Sequence, residues 1–395
     1  MKRKLLATVL SVAMVATVFT GCGSAKTDAP ADDAATTDDA ATDDAATDDT
    51  TDDAADDTAD DASADDAAAT GEGGLIGVAM PTKDLQRWNQ DGENMKKQLE
   101  DAGYEVDLQF ASNDVATQVS QVENMVSGGC DAIVIGSIDG ESLGTPLKQA
   151  EEQGIPVISY DRLIMNSSAV TYYATFDNYL VGQKQGEYIV DALDLDNTDG
   201  PYNLEIFTGD PGDNNVNFFY GGAMEVLQPY IDSGKLVVQS GQVKKEEVAT
   251  ADWSTEKAQS RMEAILASNY NGKDLDVVLC SNDSTALGVE NALEANYTGK
   301  WPVITGQDCD KPNVKNIVNG KQSMSVFKDT RKLAEQTVKI DAIMDGKEAE
   351  TNDNESYDNG TGIIPSYLCE PTVVTIDNYE EMLLDSGYYT EADIK

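Results

Sequence analysis

From Gly73 onward, short apolar runs alternate with stretches whose apolar residues recur at helical spacing. Leu75 to Met80 reads as a buried strand. Trp88 to Ala102 follows as a helix with Met95, Leu99 and Ala102 on one face, and Val106 to Phe110 as the next strand. Val115, Val119, Val122 and Val126 then mark a second helix. Ala132 to Ile135 is a third strand and Pro156 to Tyr160 a fourth. This β-α-β-α rhythm predicts a doubly wound parallel sheet.

A second series of the same kind begins after residue 177. Its predicted strands are Asn203 to Phe207, Leu236 to Gln239, Val277 to Cys280 and Val303 to Gly306. Helices are expected over Asn215 to Leu227, Ser254 to Ala267 and Ser284 to Asn296. Two α/β series in tandem imply two lobes with a cleft between them. In open parallel sheets ligands bind beyond the carboxyl ends of the strands, so the residues that follow each strand are the candidates.

Those residues form a consistent set. The first strand is followed by Arg87-Trp88, and the fourth runs into Asp161-Arg162. In the second series the strand around Glu205 leads to Asp213-Asn214-Asn215, and Trp253 sits at a helix start. The strand at Val277 ends in Ser281-Asn282-Asp283, the strand at Val303 in Gly306-Gln307-Asp308, and Met324 to Phe327 in Lys328-Asp329. Each has a plain structural alternative: Asp213 as a helix N-cap, Arg162 as a surface ion pair, Trp253 as packing. For Asp283 the N-cap role is the expected one. Together they suit a sugar. A pyranose has apolar C–H faces that Trp88 and Trp253 would sandwich. Its hydroxyls donate and accept at once, and are best met by carboxylate, amide and guanidinium groups such as Asp161, Arg162, Asp213, Asn215, Asn282 and Asp308.

The amino-terminal segment changes the picture of location. Lys2, Arg3 and Lys4 precede an apolar stretch from Leu5 to Phe19 that is too short to span a bilayer, which is the pattern of an export signal. Phe19-Thr20-Gly21-Cys22 resembles a lipobox, with Phe19 departing from the usual aliphatic residue, so residues 1–21 are expected to be removed and Cys22 acylated. Residues 25–70 hold 17 aspartates and no aromatic or large aliphatic residue. They cannot bury enough surface to fold and read as a tether within 22–73. A neutral flexible chain of that length would reach roughly 40 Å, and self-repulsion extends it.

The formal net charge of -45 argues against nucleic acid as a partner, since phosphate backbones require a basic face. The sequence has no histidine, and Cys130, Cys280, Cys309 and Cys369 have no metal-ligand spacing, so free, partly buried thiols are expected and neither a metal nor a cofactor is called for. Asp194, Asp196, Asn197 and Asp199 have the wrong spacing for a calcium loop and read as a solvated acidic turn.

Several stretches carry a resemblance to a known family. They are Ile76-Gly77-Val78-Ala79-Met80-Pro81-Thr82-Lys83, Gln121-Val122-Glu123-Asn124-Met125-Val126, Tyr160-Asp161-Arg162-Leu163, Tyr173-Ala174-Thr175-Phe176-Asp177-Asn178, Asp213-Asn214-Asn215, Tyr230-Ile231-Asp232-Ser233-Gly234-Lys235, Gly306-Gln307-Asp308 and Val326-Phe327-Lys328-Asp329-Thr330. In this order they resemble the sugar-binding proteins of ABC transporters that have the ribose-binding-protein type of fold, most like the xylose-binding and multiple-monosaccharide-binding members. The resemblance implies two doubly wound lobes, the type I periplasmic binding protein fold, joined by a three-crossing hinge near Asp177, Lys328 and Leu368. It places residues 74–177 and 329–367 in one lobe and 178–328 and 368–395 in the other. Ligand contacts carry over to Arg87, Asp161, Arg162, Asp213, Asn215, Trp253, Asn282, Asp308 and Lys328. The implied protein is not an enzyme. It is a monomeric, lipid-anchored extracytoplasmic receptor that passes a monosaccharide to a transporter permease. Docking to a sensor kinase, or a nucleoside or signalling furanose as ligand, stand as alternatives.

Overall fold

The computed structural model describes residues 73–339, 343–344 and 346–394. The expected signal at 1–21, the acylation site Cys22 and all of the acidic segment up to residue 72 lie outside the described residues. Among the described residues no helix is long and apolar enough to cross a membrane.

The first half supplies strands β1 (Leu75–Met80), β2 (Glu105–Phe110), β3 (Ala132–Ile135), β4 (Val157–Tyr160) and β5 (Val170–Phe176), with helices α1 (Gln86–Asp101), α2 (Val115–Ser127) and α3 (Gly144–Gln153) between them. The second series runs α4 (Asn178–Ala192), β6 (Tyr202–Phe207), α5 (Asn215–Asp232), β7 (Leu236–Val238), α6 (Thr255–Asn269), β8 (Val277–Cys280), α7 (Asp283–Asn296), β9 (Val303–Ile304), α8 (Lys311–Val318) and β10 (Ser325–Phe327). It is followed by α9 (Thr330–Val338), β11 (Ser366–Cys369) and β12 (Thr372–Val374).

Two parallel sheets result. One has the order β11-β5-β4-β3-β1-β2, the other β7-β6-β8-β9. β10 and β12 pair antiparallel, and a bridge from Gln307 to Val326 joins that pair to the end of the second sheet. The chain therefore passes between sheets three times: after β5, after β10 and between β11 and β12.

Continuous apolar runs form these strands because both faces of each parallel sheet are covered. In β1, Ile76, Val78 and Met80 pack with Met95 and Leu99 of α1 and Leu333 and Ala334 of α9. Ala79 points the other way, toward Val122 and Met125 of α2 and Leu147 of α3. Each such fully buried aliphatic side chain contributes about 1.5–3 kcal/mol. The second sheet repeats the arrangement. Leu204, Ile206 and Leu279 pack with Leu227 of α5, while Phe207 and Val278 pack with Met262 of α6 and Val289 of α7. Helices α4 and α5 cross so closely that a Cβ at Gly182 would lie 2.2 Å from the Phe219 carbonyl and one at Gly222 2.1 Å from the Tyr179 carbonyl.

Three local expectations are corrected. Ala102 lies past the last turn of α1 and is exposed, so only Met95 and Leu99 of the expected face are buried. β7 stops at Val238 and β9 at Ile304, because the backbone beyond each turns to serve other partners, such as the Gln307 bridge. Asp283 is not a cap. Asn282 is the N-cap of α7, accepting from the Thr285 N–H at 3.0 Å, while Asp283 is buried and accepts from Gln322, Ser325 and the Asp310 N–H.

Candidate functional site

The strand ends converge. Arg87 and Trp88 occupy the first turn of α1, and Asp161 and Arg162 follow β4. From the other lobe come Asp213 and Asn215 at the head of α5, Trp253 in the short turn Ala251–Trp253 before α6, Asn282 after β8, Asp308 after β9 and Lys328 after β10. All ten line one cavity, together with Leu85, Phe219, Gln307 and Asp310. The last four were not among the residues expected to touch the sugar, although Gln307 stood in the strand-end set. Gln307 directly precedes Asp308, Asp310 lies two residues after it, and Phe219 lies one helical turn beyond Asn215. Leu85 carried no signal, because a lone aliphatic residue in a loop has none.

Charged groups are matched across the cleft. Arg87 pairs with Asp161 and, through Nε at 3.0 Å, with Asp91; its Nη1 is 3.4 Å from Asp308. Lys328 Nζ, 2% exposed, lies 3.0 Å from Asp308 and 4.0 Å from Asp161. Arg162 Nε stands 2.8 Å from Asp213 Oδ2, although its N–H does not point at that oxygen, and Nη1 donates to the Ser137 carbonyl at 3.0 Å. Arg162 is buried, so it is no surface ion pair. Burial pushes the Asp161 carboxyl up, but Arg87, Lys328 and Arg162 outweigh it and hold it below the usual range. At Asp213 burial wins over Arg162 and the carboxyl is raised.

Aromatic rings frame these charges. The Arg162 guanidinium lies 5.0 Å from the Trp88 ring centroid, and Lys328 Nζ 5.6 Å from that of Phe219. Trp253 donates from Nε1 to Asp213 Oδ2 at 3.2 Å and meets Phe219 edge-on.

The backbone is under tension here. Asp161 (φ 60°), Trp253 (φ 54°) and Asp308 (φ 95°) are non-glycine residues in left-handed conformations, each costing about 1–3 kcal/mol. Neighbours hold them there. The Asp161 carbonyl accepts from Tyr173 Oη (2.7 Å), Thr175 Oγ1 (2.8 Å) and Asn215 Nδ2 (2.8 Å). Asn215 belongs to the opposite lobe, so this network also ties the lobes together. Asn282 does double duty: besides capping α7, its Nδ2 donates to Ser284 Oγ at 2.8 Å.

The cavity has a volume of about 30 Å³. This cavity is far smaller than the roughly 300–1,000 Å³ of drug-sized sites. The four cysteines outside the amino-terminal segment are free and buried, and burial raises all four thiols.

Residues 76–348 match the periplasmic binding protein domain family. The multiple sugar-binding periplasmic protein SbpA of Azospirillum brasilense is 49% identical over 325 residues, 81% of this chain and 91% of its own. The D-xylose-binding periplasmic protein of Escherichia coli is 35% identical over 81% of this chain and 92% of its own. A solute-binding protein of an ABC transporter from Clostridium phytofermentans, solved with bound β-D-glucose, shares 70% identity at a TM-score of 0.80, covering 81% of this chain and all of that one.

Proposed function

Because this chain belongs to the periplasmic binding protein domain family, we propose that it captures a free monosaccharide between its two lobes and delivers it to the permease of an ABC transporter. The observation that carries this reading is the convergence of ten residues from the strand ends and helix starts, three cationic, three acidic, two amide and two indole, on one cavity. The relatives named above bind xylose, glucose or several sugars by their own descriptions, which supports a pyranose here.

Trp88 and Trp253 clasp the two C–H faces of the ring. Arg87, Arg162, Asp161, Asp213, Asn215, Asn282, Asp308 and Lys328 meet its hydroxyls. These groups neutralise one another across the cleft, so the sugar exchanges one set of satisfied hydrogen bonds for another and no charge is left bare. The left-handed backbone at Asp161, Trp253 and Asp308 holds these side chains in place before the sugar arrives. The lobes open about the three chain passes to admit ligand and close on it, and the closed form is what the permease recognises. A micromolar Kd, about -8 kcal/mol, suits this role. The protein catalyses no reaction and works as a monomer. It stands on the outer side of the membrane, anchored through acylated Cys22 and raised from the surface by the acidic segment.

A thermal-shift panel of D-xylose, D-glucose, D-galactose, L-arabinose, D-ribose and L-fucose tests the proposal. A ligand that binds only the folded state raises Tm. A rise with one or a few of these sugars is expected; a folded sample that responds to none of them overturns the reading.

A further inference from the structure

Asp310 stands in the sugar cavity but was no candidate of the sequence, and its local geometry is unusual. It occupies the N-cap position of α8, where an aspartate ordinarily accepts hydrogen bonds from the first turn. Here its side chain makes no such bond. One donor it might have served is missing, since Pro312 in the first turn has no N–H. The residue is pinned only through its backbone, whose N–H donates to Asp283 Oδ2 at 2.8 Å. The carboxyl is thereby released toward the cavity, where it joins the lining. Its Oδ1 is buried and has no hydrogen-bond partner in the protein. A buried carboxyl oxygen without a partner is costly and rare in folded proteins. The neighbouring acids have partners in the protein: Asp308 Oδ1 has Arg87 and Lys328, and Asp283 Oδ1 has Gln322 and Ser325. Asp310 Oδ1 is therefore a buried acceptor at the cavity that the protein itself leaves unused.

We infer that Asp310 is a further ligand contact of this receptor, completing its hydrogen bonds with one particular hydroxyl of the bound sugar and so selecting for that hydroxyl. The inference rests on the sugar-receptor reading above. Burial and then Asp308 push the Asp310 carboxyl up to about 7, against Arg87 and Lys328, so near neutral pH it is able to donate as well as accept. A hydroxyl does both, which makes the two groups well matched.

The test is calorimetric titration of the wild type and of Asp310→Ala with D-glucose and its 2-, 3-, 4- and 6-deoxy analogues. Asp310→Ala is expected to weaken D-glucose about tenfold or more. It should leave unchanged the affinity for the one deoxy analogue that lacks the hydroxyl Asp310 meets. Asp310→Asn, which keeps the shape and a donor and acceptor, should recover part of the loss and carries the same scan if the alanine variant does not fold. Wild-type affinity for every analogue overturns the assignment, and so does an equal loss across all of them, which is the signature of a merely structural role. The wild type's own titration separates the two failures. If it takes up none of the six sugars of the panel, the receptor reading falls and this assignment with it; if it binds and Asp310→Ala binds equally well, only this assignment falls.

Discussion

A single methyl group behind Trp253 tests whether that indole is a wall of the sugar site. Gly209 follows β6, and its carbonyl accepts from the Thr250 N–H at 3.0 Å, which holds the two loops together. A Cβ at residue 209 would stand 2.0, 2.1 and 2.2 Å from three atoms of the Trp253 ring. Ordinary contact begins at 3.4 Å, so Gly209→Ala must push a rigid ring by about 1.4 Å. The ring is hemmed in, by Phe219 edge-on and by the 3.2 Å bond from Nε1 to Asp213, and it yields into the cavity. Losing that bond costs about 0.5–1.5 kcal/mol and disturbing the aromatic contact a similar amount. A combined loss of about 1–3 kcal/mol is a rise of roughly 5- to 150-fold in Kd. Overpacking also lowers stability, by about 1–3 kcal/mol. Titration calorimetry with the best sugar of the panel, alongside a melting curve, measures both. Gly144→Ala is the control, since a Cβ there meets nothing within 4 Å. If Gly209→Ala binds sugar with a Kd within twofold of wild type, Trp253 does not bound the ligand and the sandwich is wrong.

Four further outcomes follow from particular contacts. Asp308→Ala should weaken sugar binding by about 1–3 kcal/mol, read by calorimetry, because a ligand hydroxyl loses its partner and Lys328 loses its nearest carboxylate. Asn113→Ala removes the 3.0 Å bond to Asp252 at the exposed rim between the lobes; stopped-flow fluorescence should show faster sugar release, by a few fold, with little change in association. Glu290 is buried and accepts from Asn316 at Oε2, while Oε1 has no partner; burial pushes it up to about 8, so the folded state favours its neutral form. Its stabilising effect is complete below the range where a free glutamate ionises and is lost as pH rises toward 8, so Tm should fall over that range and Glu290→Gln should flatten the decline. Cys22→Ser should release the protein from membranes into the soluble fraction on immunoblots, with unchanged sugar affinity in the shed protein.

The β-α rhythm and the residues that line the cavity were legible because strand ends in a parallel sheet lie together at one edge, and each carried a polar or indole residue. Its failures have physical causes. Asn282 and Asp283 are adjacent polar residues at a helix start, and propensity cannot say which caps; the buried partners Gln322 and Ser325, some forty residues away, decided it. β11 was invisible as a sheet member because Ser366 to Cys369 is short, and its parallel pairing with β5 is set by tertiary contact alone. Asp91, which holds Arg87 and accepts from Tyr160, was hidden in mid-helix, where an acid reads as a solvated face until it is seen buried. Asp310 gave no signal, since its side chain lies free of the cap hydrogen bond that an aspartate at a helix start ordinarily makes.

The most direct test of the central claim is calorimetric titration of the purified protein with D-glucose, D-xylose, D-galactose and L-arabinose, repeated with Asp308→Ala. The account predicts saturable one-to-one binding of at least one of them with a Kd near or below the micromolar range, lost or sharply weakened in the variant. No heat of binding with any of the four from a folded sample, or equal affinity in the variant, would contradict it.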